Sequence, residues 1–151
     1  MSKSDAFELG ILKHIFQNVD LAGIGDAGGL RGSAGAGSLY ISLHSADPGE
    51  AGTQSTNEIS YTGYGRVGVV RGTGTWTCAT SSGVSSAKNA AAITFGTCAS
   101  LSATATYFGV GFAQTGGNVI LYSGVLSTGS LPIVTGITPF FPIGSLTVTE
   151  D

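Results

Sequence analysis

Charge is what this sequence has least of. Only 10% of its 151 residues are Asp, Glu, Lys or Arg, against about 25% in an ordinary soluble domain. Six basic and nine acidic residues leave a net charge of −3. The bases are dispersed as Arg31, Arg66, Arg71, Lys3, Lys13 and Lys88. Nucleic-acid binding needs a concentrated basic face, so no nucleic-acid partner is expected. With so few charges, the surface has to be built of Ser, Thr, Gly and Ala. Isolated soluble domains usually carry more charge than this, which points to a surface partly covered by neighbours.

Residues for site chemistry are equally scarce. The two cysteines are Cys78 and Cys98, and the two histidines are His14 and His44. Two thiols with no nearby His or Cys make a poor zinc site. They are expected as free, buried side chains, with a disulfide as the open alternative. The motifs G-x-S-x-G, C-x-x-C and H-E-x-x-H are all missing. A serine nucleophile would have to draw its base from two histidines, and His14 falls on a predicted helix surface. No catalytic residue, cofactor or metal is expected. No apolar run approaches the ~20 residues of a membrane span, so no membrane partner is expected. The start "MSKSDAFELGILKHIF" carries acids and a His inside its apolar stretch, unlike a signal peptide.

Two patterns invite a site reading. His44, Asp47 and Glu50 lie three residues apart, a spacing that would converge on a helix. Pro48 and Gly49 oppose a helix there, so the stretch reads as a strand running into an Asp-Pro-Gly turn. The stretches "GIGDAG" (Gly23 to Gly28) and "GYGRVG" (Gly63 to Gly68) match G-x-G-x-x-G. A dinucleotide site needs a strand before the glycines and a helix after them. The first follows a helix and the second leads into "VVRG", so neither fits.

The pattern along the chain is mostly β. One helix is predicted near the N-terminus, capped by Ser4 or Asp5, with Phe7, Ile11, Ile15 and Phe16 on one face and Leu12 and Val19 beside it. Residues 21–37, "LAGIGDAGGLRGSAGAG", form a Gly/Ala-rich connector, read as a flexible arm because glycine makes fixed structure entropically expensive. From Ser38 the signals alternate. "LYISLHS" sets Leu39, Ile41 and Leu43 on one face and Tyr40, Ser42 and His44 on the other. Further strands are predicted in "RVGVVRG", "GTWTCAT", "AAAITFGT", "ATYFGVGFA", "VILYSGVL", "LPIVTGITPFF" and "GSLTVTE", with "QTGGN" as a hairpin loop. Short strands with turns every 8–12 residues indicate an antiparallel β-sandwich. The expected layout is a helix and Gly-rich arm in residues 1–37 and a β-sandwich in 38–151.

Seven residues stand out as a candidate protein interface: the helix stripe Phe7, Ile11, Ile15 and Phe16, and the cluster Tyr61, Tyr64 and Arg66 in "ISYTGYGRV". Aromatic and Arg side chains are enriched at interface hot spots, although Tyr residues in a β protein are also common in the core.

Four ordered segments carry a resemblance: "LYISLHSADPGEAG", "NEISYTGYGRVGVV", "ATYFGVGFAQTGGNVILYSGVL" and the closing "GITPFFPIGSLTVTED". Together they resemble small virion structural proteins of tailed bacteriophages. In that family an L-Y-[VI]-x-L strand runs into an x-D-P-G turn, a Gly-Tyr-x-Arg-Val segment follows, and a G-G-N hairpin precedes a closing strand. The resemblance spans about Ser38 to Thr149. It implies a non-enzymatic protein, most like head-decoration (cement) proteins with a jelly-roll-like sandwich. Such a protein would bind the major capsid protein and copies of itself, as a homo-dimer or homo-trimer, in the phage head. A tail or tail-fibre component, acting in assembly or host-surface binding, is the alternative.

Overall fold

In the computed structural model of the chain, residues 2–25 and 27–150 are described. Asp26, inside the first G-x-G-x-x-G match, lies outside them. Strand accounts for 37% of the chain and helix for 9%, with antiparallel sheets and one N-terminal helix, consistent with the β-sandwich class. The elements are α1 (Asp5–Gln17), β1 (Ser38–His44), β2 (Val67–Val70), β3 (Trp76–Ser81), β4 (Val84–Asn89), β5 (Ile93–Thr94), β6 (Ala103–Ala105), β7 (Tyr107–Gly111), β8 (Ile120–Val125), β9 (Leu131–Ile133), β10 (Phe140–Phe141) and β11 (Thr147–Glu150). The chain divides into two compact units, each discontinuous in sequence. The first comprises Met1–Ser38, Val70–Ala92 and Phe141–Asp151, and the second Leu39–Val69 and Ile93–Phe140.

In the first unit α1 packs on a three-stranded sheet of order β11-β4-β3. The helix buries Glu8, Leu12 and Phe16, spaced by four so that they stack along one face. This stripe is displaced from the one expected. Phe16 is fully buried, whereas Ile11 and Ile15 are half-buried and Phe7 is exposed. The stripe opens with a glutamate, and no hydrophobic pattern would place a carboxylate in a core. Phe16 meets Trp76 edge-to-face, ring centroids 4.7 Å apart at 63°.

Arg71 ties the end of the helix to the segment that follows. Its Nε donates to the Ile15 carbonyl at 2.6 Å, and a terminal nitrogen donates to the His14 carbonyl. These are orphan acceptors of the last helical turn. The other terminal nitrogen reaches the Ala36 carbonyl at 3.3 Å and the Ser33 hydroxyl. The Gly-rich arm is folded back on itself. Leu21 and Leu30 exchange backbone hydrogen bonds of 2.9 Å, and the Asn18 side chain both donates to and accepts from the Ser33 backbone.

The sequence pattern misses β4, the central strand of this sheet, because "VSSAKN" carries a single β-branched residue. Ser85, Ala87 and Asn89 point inward and are buried. Asn89 donates to the Ala91 and Pro142 carbonyls and accepts from the Leu146 N–H, so its buried amide is satisfied by backbone groups beyond the end of the strand. The hairpin signal was present at Ser82-Gly83, where both residues have positive φ (51° and 78°), as a tight primed turn requires.

In the second unit a four-stranded sheet runs in the order β2-β1-β7-β8, and β6 pairs with β9. β1 and β7 are antiparallel, with Ser42 opposite Gly109 and His44 opposite Tyr107. Leu39, Ile41 and Leu43 are buried as the alternation requires. Ser42 and His44, expected on an outward face, are fully buried as well, so the end of β1 is covered on both sides. The expected strand "ATYFGVGFA" is split at Thr106, whose N–H turns to the His44 carbonyl. The hairpin β7–β8 closes through residues 112–119, and "QTGGN" is indeed its loop.

Candidate functional site

The exposed loop at 112–119 is positioned by a buried polar cluster in the second unit. Its centre is Arg66, whose side chain is only 3% exposed. Its Nε and one terminal nitrogen donate to the two oxygens of Glu58, at 2.8 and 2.7 Å. The same terminal nitrogen donates to the Gly116 carbonyl at 2.9 Å and the Ser55 hydroxyl at 3.2 Å, and the other donates to the Ala113 carbonyl at 3.0 Å. One guanidinium thus fixes the segment 53–58 and the hairpin loop together, using the planar fork that a lysine lacks. Gln54, also fully buried, adds two bonds to the loop: its N–H donates to the Asn118 carbonyl and its Oε1 accepts from the Ala113 N–H.

Tyr64 completes the cluster. Its hydroxyl donates to Glu58 at 2.8 Å and accepts from the Leu43 N–H at 3.1 Å. Burial pushes its phenol well above the usual range, so it stays a neutral donor. Its ring stacks on Phe95 and meets Tyr61 edge-on. Tyr61 is buried, and its hydroxyl donates to the Gly96 carbonyl at 2.8 Å. The structure therefore brings Tyr61, Tyr64 and Arg66 together, but with their polar atoms engaged inside the chain. In the helix stripe, Phe7 is the one exposed residue, at 38%.

His44 lies beside this cluster. Its Nδ1 is 2.8 Å from the Thr56 carbonyl and its Nε2 is 2.8 Å from the Ser42 hydroxyl. A carbonyl only accepts, so Nδ1 carries the proton and Nε2 accepts from Ser42. Asp47 is used elsewhere, its carboxylate accepting from the Gly49 N–H at 2.9 Å. The evenly spaced trio is thus a strand end followed by a turn. Among the described residues, no group of three or more His, Cys, Asp or Glu is arranged to hold a metal ion. Cys78 and Cys98 are free thiols, and burial pushes Cys78 up to about 11.

Two glycines of β7 make room for this cluster. A Cβ at Gly109 would lie 2.6 Å from His44 Nε2 and 2.7 Å from Ser42 Oγ; one at Gly111 would lie 2.0 Å from the Gln54 side chain. We expect Gly109→Ala to destabilise the protein by about 1–3 kcal/mol through overpacking. Gly74→Ala, where nothing lies within 4 Å, should change stability by less than about 0.5 kcal/mol. Equal urea midpoints for the two variants would show that the close approach is unimportant.

Above the cluster the hairpin carries apolar side chains into solvent. Phe112 and Val119 flank the loop and are 52% and 58% exposed, and Leu121 and Val125 project from the edge strand β8. Sequence reasoning missed this surface because "ATYFGVGFA" and "VILYSGVL" were read only as strands joined by a hairpin loop, with no face assigned to solvent.

The sequence pattern of a family described as podophage GP4 fiber I protein gp80 matches residues 28–149. No curated protein matches the chain. The family description names a fibre and lends no support to a head-decoration protein or to the major capsid protein as partner.

Proposed function

We propose that this chain, which belongs to the podophage GP4 fiber I protein gp80 family, is a non-enzymatic component of a tailed-phage fibre. Membership makes it a structural protein of the virion. The single observation carrying the finer reading is that the match covers nearly the whole β-rich part of the chain, from residue 28 to residue 149. The physical features support it. The sequence is poor in charge, His44, Asp47, Glu58 and Arg66 are engaged in internal hydrogen bonds, and a hairpin held by Arg66 and Gln54 displays apolar side chains. A fibre subunit works by contact with its neighbours or with copies of itself, and many modest contacts in one assembly gain avidity.

Labelling the protein in intact particles, or mapping it by cryo-electron microscopy, tests the location. Density at the tail fibre is expected; density on the capsid shell would overturn the fibre reading in favour of head decoration. The contact surface has its own test. A double Phe112→Ser, Val119→Ser variant should fold normally yet enter particles roughly tenfold less than wild type. Full incorporation of that variant would remove the hairpin from the assembly contacts.

A further inference from the structure

From Asn89 to Thr149 the sequence holds no Asp, Glu, Lys, Arg or His, so β8 and the hairpin loop carry no charge. β8 is also the edge of its sheet, in the order β2-β1-β7-β8. An edge strand offers a row of backbone groups to any second strand, and folded proteins usually guard it with charge, Pro or a bulge. β8, "ILYSGV", contains neither charge nor Pro, and its one irregularity of pairing, at Val110/Gly111, lies at the loop end. Leu121 and Val125 are 37% and 61% exposed. The opposite edge, β2, is four residues long with Arg66 and Arg71 at its ends. β3, an edge of the sheet in the first unit, exposes only Thr77, Ala79 and Ser81.

One bond fixes the direction of the backbone groups on β8. Tyr107 lies opposite Val125, so Thr106 is in register with Leu126, and the Leu126 N–H donates to the Thr106 carbonyl at 2.8 Å. Opposed residues in an antiparallel ladder alternate between bonded and non-bonded pairs. Gly124 and Tyr122 therefore turn their N–H and C=O toward β7, and those of Ser123 and Val125 point out of the sheet edge. Building on the reading of this hairpin as an assembly contact, we infer that β8 pairs antiparallel with β8 of a second copy of this chain. The two-fold axis passes through Ser123, and two four-stranded sheets join edge to edge. Such a contact sets one patch against itself, and the register centred on Ser123 suits it. Ser123 exchanges two backbone hydrogen bonds with the partner's Ser123. Leu121 falls opposite the partner's Val125, an apolar pair made twice on the exposed face. Tyr122 falls opposite the partner's Gly124, which has no side chain to displace. With no charge on the strand, no like charges meet across the axis. Phe112 and Val119 add exposed apolar surface at the loop end of the same hairpin.

Sedimentation equilibrium of the purified protein, with charge placed at the axis, tests the pairing. The wild type should show a monomer–dimer equilibrium. Ser123 is exposed and its N–H points away from β7, so Ser123→Lys and Ser123→Glu should fold as wild type by circular dichroism. Each alone should dimerise roughly tenfold or more weakly, because like charges meet at the axis. An equimolar mixture of the two should regain dimers, now of one copy of each. Ser81→Lys, on the exposed face of β3, should leave the equilibrium unchanged. If neither charged variant folds, oxidation of Ser123→Cys decides. Bonded antiparallel neighbours lie about 5.5 Å apart at Cα, within disulfide reach, so a disulfide between the two introduced thiols is expected, and its absence overturns the pairing. So does a wild type that stays monomeric or forms only trimers, a charged variant that associates as wild type does, or a mixture that gains nothing. A monomer in solution that maps to the tail fibre sinks the pairing and leaves the fibre reading intact; a dimer that maps to the capsid shell does the reverse.

Discussion

Replacing Arg66 with alanine is expected to destabilise the protein by about 3–5 kcal/mol, the cost of removing one partner of a buried ion pair. The loss exceeds that of a surface salt bridge because it leaves the Glu58 carboxylate without its partner, with its side chain only 15% exposed. The Ala113 and Gly116 carbonyls lose their donor at the same time. Lysine should rescue only part of the loss, since one ammonium cannot span both oxygens of Glu58 and two loop carbonyls. A double Glu58→Gln, Arg66→Met variant should be more stable than Arg66→Ala, because it strands no charge. Urea denaturation of the four proteins measures this. The clamp has no energetic role if Arg66→Ala lies within about 0.5 kcal/mol of wild type. Hydrogen exchange in the same variants reads the local effect, with the loop 112–119 losing protection first. The Arg31–Asp20 pair makes a control, since both partners are more than half exposed and 3.6 Å apart; Arg31→Ala should be nearly silent.

Trp76→Ala is the second large effect, expected at about 3–5 kcal/mol. The indole is fully buried against Phe16, so its removal leaves a void that α1 and the sheet β11-β4-β3 can only partly close. Trp76→Phe should cost much less than the alanine change. It keeps an aromatic ring against Phe16 and deletes an indole N–H that has no hydrogen-bond partner among the described residues. Because Trp76 is the single tryptophan, circular dichroism is the appropriate readout. Phenylalanine and alanine variants of equal stability would mean that this contact does not hold the helix in place.

Much of the fold was legible because alternation and turn chemistry are local. β2, β8 and β11 fall within the stretches whose patterns predicted them, β1 and β3 overrun theirs by one residue, and the N-terminal helix follows from its apolar periodicity. What was illegible has a common cause. β4 is a central strand, "VSSAKN", with one β-branched residue, and it is paired on both edges; its last residue, Asn89, is buried with its side-chain amide bonded to the Ala91 and Pro142 carbonyls and the Leu146 N–H. The inner face of α1 includes Glu8, which a hydrophobic pattern assigns to water. For the site, the sequence singled out Tyr61, Tyr64 and Arg66 as a candidate protein interface, and the structure gathers them with their polar atoms engaged inside the chain. The sequence could not show that Glu58, Gln54 and the hairpin loop converge on them, because these groups come from separate stretches of the chain.

By itself, the sequence determined the fold class, the strand–turn character of "SLYISLHSADPGEAG" and the shortage of groups for chemistry. Each of these depends on residues within a few positions of one another, where backbone preference and periodicity act. Only the tertiary structure decided which polar side chains are buried and what they hold. Arg66, Gln54, His44 and Asn89 look like surface residues in a list of letters, because their burial becomes affordable only when distant carbonyls, hydroxyls and a carboxylate meet them in space and replace the water they give up.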